Sequence, residues 1–157
     1  MKRTSIIFFI TFLFLVIISA CKENQYMDWK LMNDKWYSIH QHDSGFVTTS
    51  SGLCYKIIYP GWSFDRQPNI SSNVLVNDKG TLIDGSTFET NENTWFALTN
   101  TAQIPNAWRE MMPKLHTGAH VILYAPSKIG FDTISTNPAI PPYSVLIYDI
   151  TLINSQY

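Results

Sequence analysis

Cysteine is almost absent. Cys21 and Cys54 are the only two in 157 residues, too few for a disulfide framework, and if Cys21 is consumed in another way Cys54 has no partner. Charge is also scarce: 15% of residues are charged, with no basic or acidic block. That removes the electrostatic footprint of a nucleic-acid binder. No apolar run reaches the roughly 20 residues that a membrane-spanning helix requires. There is no glycine-rich phosphate loop and no G-x-S-x-G nucleophile turn. His40 and His42 flank Gln41 in a stretch read as helix or linker. His116 and His120 straddle Gly118, so they do not share a helical face as metal ligands would. The carboxylates Asp84, Glu89 and Asp149 fall in strand or turn positions with nothing to pair them, and Asp84 before Gly85 reads as a turn residue. No metal and no cofactor are expected. What is plentiful is apolar and aromatic side chain, 45% and 14% of the chain, enough for the core of one domain.

The N-terminus reads as a targeting segment. Lys2 and Arg3 form a short positive region, Ile6 to Ile18 is apolar apart from Thr11, and the small Ser19 and Ala20 precede Cys21. This is the pattern of a secretory signal peptide over residues 1–20. Ile18-Ser19-Ala20-Cys21 resembles the lipobox of bacterial lipoproteins. The resemblance implies cleavage before Cys21 and lipid on its thiol, hence a partner in the membrane and a place in the cell envelope. Acyl chains contribute about 0.8 kcal/mol per buried methylene, and more than one chain anchors stably. Lys22-Glu23 resembles a surface-export signal, which leaves the periplasmic side and the cell surface both open. Cys54 is then a lone thiol, better suited to packing than to chemistry.

Residues 21–51 form the second segment. Trp29, Met32, Trp36 and Ile39 recur at helical spacing, predicting a helix that acts as a spacer or packs on the C-terminal domain. Gly45 to Ser51 reads as linker. The third segment, 52–157, is the folded domain. Leu53 to Tyr59 alternates as a strand, and Asn73 to Asn77 gives another. Asp78-Lys79-Gly80 and Asp84-Gly85 are turn signals. Thr87 to Glu89 and Trp95 to Leu98 read as two short strands. Pro105 opens a helix carrying Trp108, Met111, Met112 and Leu115, which Pro113 ends or bends. His120 to Ala125 is a strand, Pro126 to Pro142 a long loop with four prolines, and Ser144 to Ile153 the last strand, with Leu146, Tyr148, Ile150 and Leu152 on one face. The class is α+β: an antiparallel sheet with one short helix on a face.

Three stretches carry a family likeness. VNDKGTLIDGSTFE, IPNAWREMMPKLHTGAHVILYAPSKIGF and AIPPYSVLIYDITLI resemble, in order, the FKBP family of peptidyl-prolyl isomerases, and FVTTSSGLCYKIIYPG resembles the first strand of its bacterial members. The resemblance implies a curved antiparallel sheet of five or six strands around one short helix, with an aromatic pocket between them. It implies that Phe88, Trp108, Phe131 and Tyr148 are catalytic, with Trp108 on the pocket floor. It implies substrate contacts from Asp78, Glu89, Trp95, Ile104 and Ile140. Ile104 would hold substrate through its backbone, although IPNAW is one residue longer than the family's usual spacing.

Four positions depart from the family pattern. Asp78 and Phe131 stand where the family has tyrosines, the second of which donates to the substrate carbonyl. Asp132 replaces a glycine and Glu89 an aspartate. The implied function is isomerisation of X-Pro bonds in exported polypeptides. The departures keep open an alternative, a peptide-binding lipoprotein of the same fold with little or no turnover.

Overall fold

The structure, a computed structural model, describes residues 26–64 and 66–157. The signal segment and Cys21 lie outside the described residues.

Six strands form one antiparallel sheet: β1 (Val47–Thr48), β2 (Cys54–Tyr59), β3 (Asn73–Thr81), β4 (Thr87–Ala97), β5 (His120–Ala125) and β6 (Leu146–Gln156), in the spatial order β1-β2-β5-β6-β3-β4. Residues 26–40 are helical, here α1. The second helix, α2 (Asn106–Met111), starts directly after Pro105 and tightens into a 3-10 turn at Met112–Lys114 that contains Pro113. Proline has no N–H to extend the helix, so the narrowing falls where the ring enters.

The period-2 pattern of the sequence selects the buried face. Leu146, Tyr148, Ile150 and Leu152 of β6 and Val121, Leu123 and Ala125 of β5 are all buried against Trp108 and Met111 of α2. Two expectations fail for one reason. Asp78-Lys79-Gly80 is not a turn but the continuation of β3, and the two short strands at 87–89 and 95–98 are one long β4. The pairing of β3 with β4 shifts register between Val76 and Asp78. The extra residue lies on β4, between Asn91 and Thr94, where Asn93 has φ +47°; such a bulge bends the pairing without ending either strand. The true turn is at Asp84-Gly85: Gly85 has φ +84° and Asp84 Oδ1 accepts from the Ser86 N–H at 2.9 Å.

Residues 45–51, read as linker, contain β1, which pairs with β2. The helix before it does pack on the domain, through Trp29 and Trp36 of the expected face but not through Met32 and Ile39. Met32 and Ile39 are exposed, whereas Asn33 is completely buried. Its Oδ1 accepts from the Val145 N–H at 2.7 Å and its Nδ2 donates to the Trp29 carbonyl at 2.8 Å. The Trp29 indole N–H donates to Ser144 Oγ at 2.9 Å, and Tyr37 donates to the Gly52 carbonyl. Trp36 meets Tyr124 edge-on, on the sheet face away from α2. Hydrophobic periodicity finds Trp29 and Trp36 but misses Asn33, the fully buried residue of the docked face, because it is polar. Cys54 is buried under the end of α1. Desolvation pushes its thiol up from the usual value, so it is a packed group rather than a nucleophile.

Asn33→Ala tests the attachment. It strands a buried Val145 N–H, and a lost partner of this kind costs about 1–3 kcal/mol. The urea midpoint should fall accordingly with an unchanged denaturant slope, while Leu31→Ala, on the exposed face, should leave it within about 0.5 kcal/mol.

Candidate active site

Four aromatic rings meet where α2 faces the sheet. Phe88 contacts Tyr148 edge-on at 5.5 Å between centroids, Trp108 contacts Tyr148 at 5.3 Å, and Phe96 contacts Trp108 at 5.6 Å. All three are near-perpendicular contacts of the favourable edge-to-face kind. Phe88 sits directly over Gly80: a Cβ there would lie 2.4 Å from the ring. Gly80, on the strand opposite the β4 bulge, thus lets the Phe88 ring approach the β3 backbone.

Above this cluster opens a cleft of about 160 Å³, walled by Glu89, Asn91, Phe96, Phe131, Asn137 and Ile140 among others. The long loop between β5 and β6 supplies one wall. Its path is fixed by polar ties: Asn137 Nδ2 donates to the Phe88 carbonyl at 3.0 Å, and the Tyr143 N–H donates to the Asp132 carbonyl at 2.9 Å. The adjoining segment is held to α1 through Ser144, whose hydroxyl donates to the Pro141 carbonyl at 2.7 Å.

The expected site residues divide into groups. Phe88, Trp108 and Tyr148 come together, but as a buried layer; Trp108 is 1% exposed and is not a wall of the cleft. Its indole N–H is buried without a hydrogen-bond partner among the described residues. Phe131, Ile140 and Glu89 do wall the cleft. Trp95 does not: it is exposed, and its neighbour Phe96 is the ring that reaches Trp108. Adjacent strand residues face opposite sides, so a register error of one selects the wrong aromatic. Ile104 is buried, and its N–H donates to the Asn100 carbonyl at 2.9 Å. It is already committed, and Pro105 beside it has no N–H to offer.

Residues 65–153 match the family model described as FKBP-type peptidyl-prolyl cis-trans isomerase. The chain belongs to this family. It is 33% identical over 116 residues to the FKBP-type peptidyl-prolyl cis-trans isomerase FkpA of Escherichia coli strain K12, covering 71% of this chain and 41% of that protein. It is 31% identical over 126 residues to the outer membrane protein MIP of Legionella longbeachae, covering 80% and 53%. The chain thus spans about half the length of the curated relatives it matches. The crystal structure of Escherichia coli FkpA superposes with a TM-score of 0.78 at 27% identity, over 88% of this chain and 64% of that one. A peptidyl-prolyl cis-trans isomerase structure from Pseudomonas syringae shares the fold, with a TM-score of 0.71 at 21% identity over 80% and 92%.

Within this FKBP-type domain the departures acquire a structure. Asp132, standing for glycine, has φ +50°; aspartate is among the few residues that accept this left-handed backbone readily. Asp78 is buried in β3, and Asn91 Nδ2 donates to both its oxygens at 3.1 and 3.3 Å. Burial nevertheless wins over this amide and pushes the Asp78 carboxyl up to about 6. Glu89 is pushed up to about 7, first by burial and then by the Asp78 charge, with a Tyr148 hydrogen bond opposing. Burial, and then these two carboxylates, lift the Tyr148 phenol well above its usual value. The phenol is therefore a neutral donor at ordinary pH.

Proposed function

We propose that this chain isomerises X-Pro peptide bonds in exported polypeptides, in the cleft over the Phe88–Tyr148–Trp108 layer, and that lipid on Cys21 holds it in the bacterial cell envelope. The supporting observation is that cleft: Phe96, Phe131 and Ile140 give it apolar walls beside the buried rings.

The X-Pro bond has a barrier of about 18–20 kcal/mol and isomerises unaided in tens to hundreds of seconds. No bond to a heavy atom breaks, so the reaction requires neither nucleophile nor general base. At the twisted geometry amide resonance is lost and the carbonyl is less dipolar than in either planar isomer. A water-poor apolar surface therefore favours the twisted state, and binding it better than the ground state is catalysis. Phe88, Tyr148 and Trp108 form the rigid base, and Phe96, Phe131 and Ile140 touch the prolyl ring. Two donors are missing. Phe131 has no hydroxyl, and the Ile104 N–H is spent on Asn100. That combination keeps alive the second reading, a module that holds proline-containing segments with slow turnover.

The decisive measurement is the cis-to-trans rate of a short X-Pro peptide with and without protein. Acceleration supports the isomerase, and binding without acceleration supports the second reading. Phe131→Tyr adds a donor to the cleft wall. One hydrogen bond of about 0.5–1.5 kcal/mol made in the twisted state corresponds to a rise of about 2- to 13-fold in kcat/KM. An unchanged rate in that variant would mean that the ring edge does not reach the substrate carbonyl.

A further inference from the structure

The cleft has a charge of one sign. Glu89 stands in its wall, and no lysine, arginine or histidine is among its lining residues. The groups facing Glu89 are Asp78 on β3, a second carboxyl, and the neutral Tyr148 phenol on β6. Asn91, also in the wall, is turned toward Asp78. No cation among the described residues of the cleft wall neutralises these two carboxylates, and burial penalises their charge. A bound segment can supply the missing cation.

We infer that Glu89, backed by Asp78, is a specificity-determining residue that makes the cleft prefer proline flanked by lysine or arginine and reject proline flanked by aspartate or glutamate. The inference rests on the cleft being where the peptide binds, and names the substrate class of that site. The apolar walls take the ring, and the carboxylate at the edge takes the basic head group of the neighbouring side chain, whose methylene stem covers Phe131. A like charge placed there meets two carboxyls in a partly desolvated cleft, which is repulsive enough to exclude it.

The test uses the full chain and two sets of short peptides carrying lysine, leucine or glutamate before proline, or after it. Both kcat/KM and peptide affinity are measured at pH 8. In at least one set the lysine peptide should exceed the glutamate peptide on the order of tenfold. Glu89→Gln should erase most of that ratio, whatever it does to the rate common to all the peptides. The ratio should also shrink as pH falls through about 7, where the carboxyl takes up a proton. Asp78→Asn, which keeps the shape of the Asn91 contact, should narrow it in the same direction. Equal handling of lysine and glutamate peptides in both sets overturns the inference. So does a preference that survives in Glu89→Gln, since that would come from the overall charge of the chain. If no peptide is isomerised, the isomerase reading fails while the affinity ratios still decide this one; absence of binding by every peptide overturns it.

Discussion

Trp108→Ala should destabilise the domain by about 3–5 kcal/mol, the usual cost of deleting a fully buried large aromatic, and should remove any X-Pro isomerase activity at once. The indole is in contact with Tyr148 and Phe96 and is one of the largest completely buried side chains. Its removal leaves a cavity under the cleft, and Phe96 loses the surface that holds it as a wall. Since domains of this size are stable by roughly 5–15 kcal/mol in total, the variant should be partly unfolded at 37 °C and its urea midpoint should collapse. Trp108→Phe should be much milder. It also creates a void, but it removes a buried N–H that has no partner among the described residues, and deleting such a group recovers part of the loss. A pair of variants separates packing from chemistry: if Phe restores stability and activity together, the ring serves as a base for the cleft. If it restores stability alone, the indole acts on the substrate directly. A loss below about 1 kcal/mol in the Ala variant would contradict the complete burial of the indole.

The second large effect is a stability that rises on mild acidification. Glu89 is lifted from 4.5 to about 7 and Asp78 from 3.8 to about 6. Between the unfolded and folded values the native state holds more protons than the unfolded one, so stability falls as pH rises. The contribution of the pair is complete below about pH 4 and is lost as pH climbs through about 6 and 7. A tenfold change in acidity between the two states corresponds to about 1.4 kcal/mol; allowing for solvent screening at half-buried Glu89, the pair removes on the order of 3 kcal/mol by pH 8. Asp84, held low by its hydrogen bonds to Ser86, works the other way at lower pH. The melting temperature should therefore peak near pH 4. Asp78→Asn and Glu89→Gln should each raise it at pH 8 and flatten its decline between pH 5 and 8. The double variant should gain less than the sum, because each carboxyl raises the cost of the other. A melting temperature that climbs steadily from pH 5 to 8 in the wild type would show that the two carboxyls are solvated.

These two effects meet in the same few residues. A family position normally filled by tyrosine carries Asp78, and it sits next to the one charged wall of the cleft. Selection for stability alone would not keep an uncompensated carboxyl pair in a sheet, since neutral isosteres would be more stable. The charge is better understood as part of what the cleft selects.

How much of this was legible in the chain depends on which force wrote each feature. The alternating run from Leu146 to Leu152, the strand at His120 to Ala125, the Asp84-Gly85 turn and the helix opened by Pro105 were all readable, because each follows from short-range periodicity or from backbone restriction at proline and glycine. The family, and with it the curved sheet around a single short helix, was readable from three ordered motifs. Phe88, Trp108 and Tyr148 were placed together only by the family resemblance, as residues gripping the prolyl ring; the structure joins their rings as a buried layer under the cleft.

Three things required the tertiary structure. The β4 bulge opposite Asp78 depends on how β3 and β4 meet, and the pairing of Phe96 with the buried Val74 decides that Phe96 rather than Trp95 turns inward. The commitment of the Ile104 N–H to Asn100 is a loop contact no pattern encodes. The face by which α1 docks is set by Asn33, whose partner lies 112 positions away at Val145. Local sequence dictates what a segment prefers to be. Which of its groups are left without water, and which distant atom then satisfies or repels them, is fixed only when the segments close on one another, because desolvation and pairing are properties of the assembled interior.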